Sequence, residues 1–444
     1  MTLSLAPHFS GTARAVVGAS PTGYLERIAA WLPTLVLLNP ILIWPLFFAV
    51  PFNSVLEIGV ADGSSRSYLI HKLWMPPLFC AAALLTMATR NRDLKLTSLP
   101  VLSFVLFFAW SALSVLWALA PVVSASRLAL QIIIAACIYL SFAVVKDPRK
   151  ILEPVFWLVV VAVFANVASV ILRPPGPIGH EGIYEHKNSL GGFCVAAILF
   201  AIYRLSWGNT LGKLTAVMII PICLALLVMS LSKTAAGLLP LSIVIGVAGC
   251  CAARWLRISA AVQFVCVLAL VTVGLYLVEE FLQLNFWELA GIVTGDPTFT
   301  GRTDIWAFTL DQAAHRPIGG FGFRSFWRVG ADSPALEVAG TFISRTAHAH
   351  NGYIDILLNG GVVGVLLFLP VLIGGLHVAG KIADRSFLAG VACLGFMVFS
   401  ILYNLLETSW FLGTNVVFIF FQIVWVAIMY DPVTKQNREQ GAWS

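Results

Sequence analysis

The chain is expected to be an all-α polytopic integral membrane protein, with about twelve transmembrane helices and one long extramembrane loop carrying short helices. Three observations predict this. Hydrophobic residues make up 59% of its 444 residues and charged residues only 11%. The mean hydropathy is +0.91. The apolar residues are gathered into runs close to the ~20 residues needed to cross a hydrocarbon core, which overrides the two or three domains that a soluble chain of this length would suggest.

In chain order the runs lie at 29–50, 72–88, 99–119, 126–145, 152–172, 189–205, 214–230, 234–252 and 259–278, then at 352–377, 386–405 and 410–430. The second is broken by Pro76-Pro77. The expected organisation is a cytoplasmic segment 1–28, transmembrane helices 1–9 over 29–278, a long outward-facing loop 279–351, helices 10–12 over 352–430 and a cytoplasmic tail 431–444. Residues 1–28 lack an apolar core of signal-peptide length, so the first span is expected to act as an uncleaved insertion signal.

Lysine and arginine placement orients the bundle. With the N-terminus inside, 16 of the 27 basic residues fall on inner segments, among them Arg90, Arg92, Lys146, Arg149, Lys150 and Arg385. Only six lie at short outer loops and their edges: Arg66, Lys72, Arg127, Arg173, Lys187 and Lys233. The other five, Arg302, Arg316, Arg324, Arg328 and Arg345, sit in the long loop, which the rule does not count. Both termini are therefore expected in the cytoplasm and the long loop outside. The net charge of +6 follows this topology and is no sign of nucleic-acid binding. All eight cysteines fall in apolar spans and read as small buried hydrophobes, with none placed to form a disulfide in an outer loop.

The spans themselves hold few ionisable groups. Glu153 begins one, and Asn166 and Gln131 are the main polar intrusions. Coupled transport needs buried charged groups near the midplane, so this composition argues against a secondary transporter or pump.

Chemistry is expected in the long loop and at outward helix ends. Lys187 precedes the sixth span, Lys233 opens the eighth and His350 opens the tenth. A helix N-terminus already carries partial positive charge and free N–H groups, so cations repeated there suit a shared anion such as phosphate. Snorkelling to lipid headgroups is the alternative for either lysine. In Thr300-Gly301-Arg302-Thr303-Asp304, Thr300 is a candidate N-cap, which places Arg302 in the first turn of a helix with Trp306, Leu310 and Ala313 on one face. There Arg302 can clamp a diphosphate bidentately, although a solvated surface arginine is the commoner fate.

Gly319-Gly320-Phe321-Gly322-Phe323-Arg324 has no preceding strand, so it does not read as a dinucleotide site. Either a structural turn or an interfacial segment touching sugars and headgroups fits it. His348 and His350 form a weak metal pair without a third ligand, so no metal is assigned. A general base is the better role for a neutral imidazole. Gly360-Gly361-Val362-Val363-Gly364 reads as a site of close helix packing.

Gly301-Arg302-Thr303-Asp304-Ile305-Trp306, Gly320-Phe321-Gly322 and His350-Asn351-Gly352-Tyr353 resemble the signature of the O-antigen ligase and polymerase superfamily. Tyr184-Glu185-His186-Lys187-Asn188 and Ser232-Lys233-Thr234 extend the resemblance, which runs from about residue 183 to 368 and is nearest to the exopolysaccharide polymerases. It implies glycosyl transfer on the periplasmic face of a bacterial inner membrane, without metal or other cofactor. The implied donor is an undecaprenyl-diphosphate-linked oligosaccharide, and a glycan is the acceptor. A flippase and a chain-length regulator are further expected partners.

By motif match His350 takes the catalytic histidine position and Arg302 the diphosphate-binding arginine. Lys233 stands where the family often has arginine, keeping the charge but losing the planar fork. Lys187 and Arg324 are expected to assist at the diphosphate. The competing readings are an O-antigen ligase, which moves the glycan from the same donor to lipid A-core, and a lipid-linked oligosaccharide flippase or exporter.

Overall fold

The computed structural model describes residues 21–43, 68–89, 93–176, 178–184, 186–282, 301–338 and 341–431. Thirteen α-helices follow one another among them: α1 Pro21–Leu38, α2 Tyr68–Ala88, α3 Leu99–Ser114, α4 Pro121–Val144, α5 Arg149–Leu172, α6 Lys187–Leu205, α7 Thr210–Met229, α8 Lys233–Trp255, α9 Ala260–Leu282, α10 Arg302–His315, α11 Gly352–Ile382, α12 Phe387–Leu406 and α13 Val416–Met429. Extended pairing among the described residues is limited to a bridge between Gly176 and Gly179. Among the described residues nine helices are long and apolar enough to cross a membrane, and 73–88 and α13 are shorter apolar helices. Every expected span overlaps a helix, the first only in part because 44–50 lie outside the described residues, and α10 is the short helix expected in the long loop. The N-terminal 20 residues, the first part of the long loop at 283–300 and the tail beyond 431 lie outside the described residues, as does the expected N-cap Thr300.

The centre of the bundle is formed by α12, which packs along α8 on one side and α11 on the other and also contacts α6. Its side chains from Val391 to Phe399 are almost all fully buried. α6 lies against α7, α11 against α3, and α1 against α4 and α5. At the edge, α9 is apolar over most of its exposed surface, as a helix facing lipid should be.

Several details depart from expectation. The last helix begins at Val416, not near 410, and its 14 residues span about 21 Å at 1.5 Å per residue. The preceding stretch is diverted into a non-helical segment containing Phe411 and Gly413, both with positive φ, before Asn415 caps α13. That segment is tied into the bundle: Phe411 is buried, and the Gln131 amide on α4 donates to the Gly413 carbonyl.

Cys80 and Cys266 are exposed on their helices and Cys251 is half-buried, while the other five cysteines are buried as expected. The helices also hold more buried charge than the runs suggested. Arg204, near the end of α6, is fully buried with Nη2 3.1 Å from a Glu153 carboxylate oxygen. Its guanidinium centre stands 4.3 Å from the Trp207 ring centroid.

α11 is broken at Gly361, where φ is 63° and ψ −164°. The expected close packing is present, but its form is a kink. A Cβ at Gly361 would overlap the Ile318 carbonyl. The groups freed by the break are satisfied by the 317–321 loop and by α3. Val362 N–H donates to Pro317 O at 2.8 Å, Phe321 N–H to Leu358 O at 2.7 Å, and Trp110 Nε1–H to Gly360 O at 2.8 Å. The Gly319–Phe323 turn is thus a structural brace for the kink. Gly361→Ala combines φ strain of about 1–3 kcal/mol with a backbone overlap, so a marked fall in the thermal unfolding midpoint in detergent is expected. An unchanged midpoint would remove the kink as a structural requirement.

Candidate functional site

Four helix starts and one helix end meet at one end of the bundle. α10 begins with Arg302 behind Gly301, which caps it with φ 77° and no side-chain bond. The cap is therefore Gly301, whose missing side chain admits the Phe342 ring. The inward face of α10 carries Ile305, Thr309 and Ala313, whereas Leu310 points out. Trp306, one turn after Arg302, donates Nε1–H to Ala349 O at 2.9 Å.

α11 starts behind Asn351, whose side chain accepts from Tyr353 and Ile354 N–H. His350, just before that cap, has φ 50°, an uncommon conformation for a non-glycine residue. α6 starts at Lys187 with His186 as its cap, and α8 starts at Lys233 behind Ser232. α12 ends at Leu406 and delivers Glu407.

Glu407 joins these ends. One carboxylate oxygen accepts from Arg302 Nη2 and from the Asn188 side-chain amide. The other lies 3.1 Å from His350 Nδ1. The residue is only 5% exposed, so these partners offset a carboxylate withdrawn from water. Asn188 continues the network: its side-chain oxygen accepts from Ser232 Oγ at 3.0 Å, and its carbonyl accepts from Tyr403 OH at 3.0 Å. Because a carboxylate only accepts, Nδ1 is the nitrogen that donates to Glu407, and the ring turns Nε2 away from that bond.

His348 and His350 stand with ring centroids 4.2 Å apart, and His348 Nδ1 accepts from His350 N–H at 3.2 Å. Burial pushes the His348 imidazole well below the usual histidine range, and His350, Arg324, His186 and Arg302 push the same way. His348 is thus a neutral residue supporting the strained His350 backbone. His186 is also lowered, first by burial, while Glu407 opposes and His350 and Lys187 add to the shift. No group of three or more His, Cys, Asp or Glu side chains among the described residues could hold a metal ion.

Of the sequence candidates, Arg302 and His350 are brought together on one carboxylate. Lys233 is exposed at the first position of α8, next to the Ser232 that bonds Asn188. Lys187 is adjacent to Asn188 in the chain, and its Nζ lies 3.4 Å from Leu231 O. Arg324 donates from Nη1 to Phe411 O at 2.9 Å, which ties it to the 407–415 segment.

Sequence reasoning assigned no role to Glu407 or Asn188, nor to Arg127, which donates to the carbonyls of Arg324 at 2.6 Å and of Trp327 and Arg328 at 3.0 Å each. A signal for Glu407 was present: an acidic residue in the polar step Glu407-Thr408-Ser409 between two strongly apolar runs.

Comparison with known proteins gives a family match over part of the chain. Residues 216–369 match the O-antigen ligase family model, a stretch that contains Lys233, Arg302, Arg324 and His350. The chain is 26% identical over 208 residues to the exopolysaccharide production protein ExoQ of Rhizobium meliloti (strain 1021), covering 45% of this chain and 46% of that protein. It is 26% identical over 151 residues to a putative polysaccharide ligase of Rickettsia bellii (strain RML369-C), covering 33% and 35%. A putative polysaccharide ligase of Rickettsia conorii (strain ATCC VR-613 / Malish 7) is 25% identical over 146 residues. The chain spans less than half the length of each of these relatives. The resemblance read from the motifs is borne out at the level of the O-antigen ligase family.

Proposed function

We propose that this chain, with its O-antigen ligase segment, polymerises oligosaccharide repeat units carried on undecaprenyl diphosphate by metal-independent, inverting glycosyl transfer. The observation that carries the proposal is the carboxylate of Glu407, which holds an anion-binding arginine and an imidazole base within one hydrogen-bond shell. An acceptor sugar hydroxyl lies against His350 Nε2. As its oxygen bonds to the donor's anomeric carbon, His350 takes the hydroxyl proton and Glu407 stabilises the imidazolium. The bond from that carbon to the diphosphate oxygen breaks and its electron pair leaves with the diphosphate. Arg302 and Lys233, with Lys187 and Arg324, hold the departing charge, the kind of electrostatic stabilisation that lowers such barriers most. Attack opposite the leaving group inverts the anomeric centre.

The proposed setting is a bacterial inner membrane, with both termini cytoplasmic and the 279–351 loop and the site in the periplasm. Cysteine placed at the exposed Asp332 is expected to react with an impermeant thiol reagent in intact spheroplasts, and cysteine at Arg92 is not. The reverse pattern would overturn the orientation. A flippase delivering the donor and a chain-length regulator fit as partners.

The deciding experiment supplies purified protein in detergent with lipid-linked repeat units. Longer chains are expected without any sealed compartment, a condition in which an exporter has nothing to do. The Rickettsia relatives are named putative polysaccharide ligases, which supports a ligase as the second reading. Lipid A-core, the acceptor in that reading, is offered in parallel, and product on it alone would replace polymerase by ligase. In the same assay Lys233→Arg should retain substantial turnover and Lys233→Ala should lose most of it, since the native group is already a point charge. Equal activity in the two would remove Lys233 from the diphosphate site.

A further inference from the structure

Asp355 lies in the first turn of α11 and is 6% exposed. Its carboxylate receives three different donors. Ala349 N–H reaches both oxygens, at 3.0 and 3.2 Å. Trp327 Nε1–H reaches one at 2.9 Å, and Thr408 Oγ–H reaches the other at 2.5 Å. None of these bonds is needed to form α11, whose cap is Asn351. Each donor belongs to a separate segment of the site. Ala349 directly precedes His350, Thr408 directly follows Glu407, and Trp327 lies in the turn that carries Arg324. Ala349 is also held through its carbonyl, to which Trp306 of the Arg302 helix donates.

We propose that Asp355 is a positioning residue for the transfer reaction, holding His350 and Glu407 in register through Ala349 and Thr408. A buried carboxylate is well suited to this, because its four lone-pair sites accept several bonds at fixed angles and charge-assisted bonds are short and strong. The function served is the His350 to Glu407 pairing, which a left-handed backbone at His350 would not sustain unaided. A residue with φ near 50° persists where the surroundings over-determine it, and Asp355 fixes the N–H of Ala349, the residue immediately before it. Asp355 itself touches no reacting atom, since all of its bonds go to protein groups that position others. The catalytic part of the proposal rests on the transferase reading given above.

Two measurements test it. Hydrogen exchange is independent of turnover. Asp355→Asn removes an acceptor for the Ala349 and Thr408 donors, so exchange in peptides covering 347–351 and 405–410 is expected to rise together while α5 and α6 are unaffected. Unchanged exchange in both peptides would overturn the proposal, whatever the protein's activity.

The second measurement is turnover of lipid-linked repeat units. Asp355→Asn is expected to lower kcat by about 10²-fold, the scale of a small misplacement of a reacting group, with donor KM nearly unchanged. Added to Glu407→Gln, it should cost little more than that variant alone, because groups acting as a unit are not additive. Full additivity, or a loss confined to KM, would overturn the positioning role. Thr408→Val, which removes a single donor, is the variant to use if Asp355→Asn does not fold; it should give a smaller kcat loss with the same non-additivity. Failure of the transferase reading is distinct: wild-type protein would then make no product while the exchange result still stood.

Discussion

His350→Ala is expected to abolish detectable polymer formation, a loss of about 10²–10⁴ in rate for a general base, while donor binding stays nearly intact. The separation follows from where the bonds run. His350 meets the network through Nδ1 on Glu407, and the oxygen that accepts from Arg302 is the other one. Removing the ring therefore leaves the Arg302–Glu407–Asn188 connection in place. His348→Ala should be milder, because His348 is held neutral by burial and acts on His350 through a single backbone bond of 3.2 Å. The measurements are turnover and donor binding at matched protein levels. If His348→Ala were silent in binding but fatal to turnover while His350→Ala remained active, the base would be misassigned.

The sequence revealed the bundle more fully than it revealed the site, and the reasons are physical. A transmembrane helix announces itself locally, because about 20 consecutive residues must each avoid polarity; ten of the twelve spans accordingly begin and end within a few residues of their helices, while the first, expected at 29–50, is helical from Pro21 and leaves the described residues after Ile43. The instructive exception is the 410–430 run. Trp410, Phe411 and Leu412 are as apolar as any helix, yet they belong to the segment that diverts Glu407 and its neighbours into the bundle. Hydropathy cannot separate an apolar loop buried in protein from an apolar helix.

The site has the opposite character. Asn188, Ser232, Arg302, His350 and Glu407 are spread over 220 positions, and their contacts are set by how helix ends meet. Motif resemblance recovered Arg302 and His350. It left Glu407 unseen because that residue lies beyond the stretch, about 183 to 368, over which the motifs run. Arg204 was passed over for a related reason: at the edge of a span it counts toward topology, and only packing shows that it is fully buried against Glu153.

The last prediction uses the double occupation of Arg302, which is a proposed diphosphate clamp and also the ion-pair partner of a buried glutamate. Arg302→Ala should therefore have two separable effects. It removes the clamp, and it leaves Glu407 buried without its cation, which costs about 3–5 kcal/mol when one partner of a buried pair is deleted. Arg302→Lys keeps a cation for Glu407 but has no planar fork for two phosphate oxygens. It should retain most of the stability while losing nearly as much turnover as Arg302→Ala.

Combining Arg302→Ala with Glu407→Gln removes the unpaired charge, so the unfolding midpoint should recover toward that of Glu407→Gln alone while turnover stays lost. Unfolding midpoint, donor affinity and turnover are to be measured on all four variants. Recovery of activity in the double variant would mean that Arg302 serves only to neutralise Glu407. Full activity in Arg302→Ala would remove the diphosphate clamp from the mechanism. Loss of donor affinity that persists in the stabilised double variant is the outcome that an anion-binding arginine requires, because repairing the charge balance of the protein restores nothing to the phosphate.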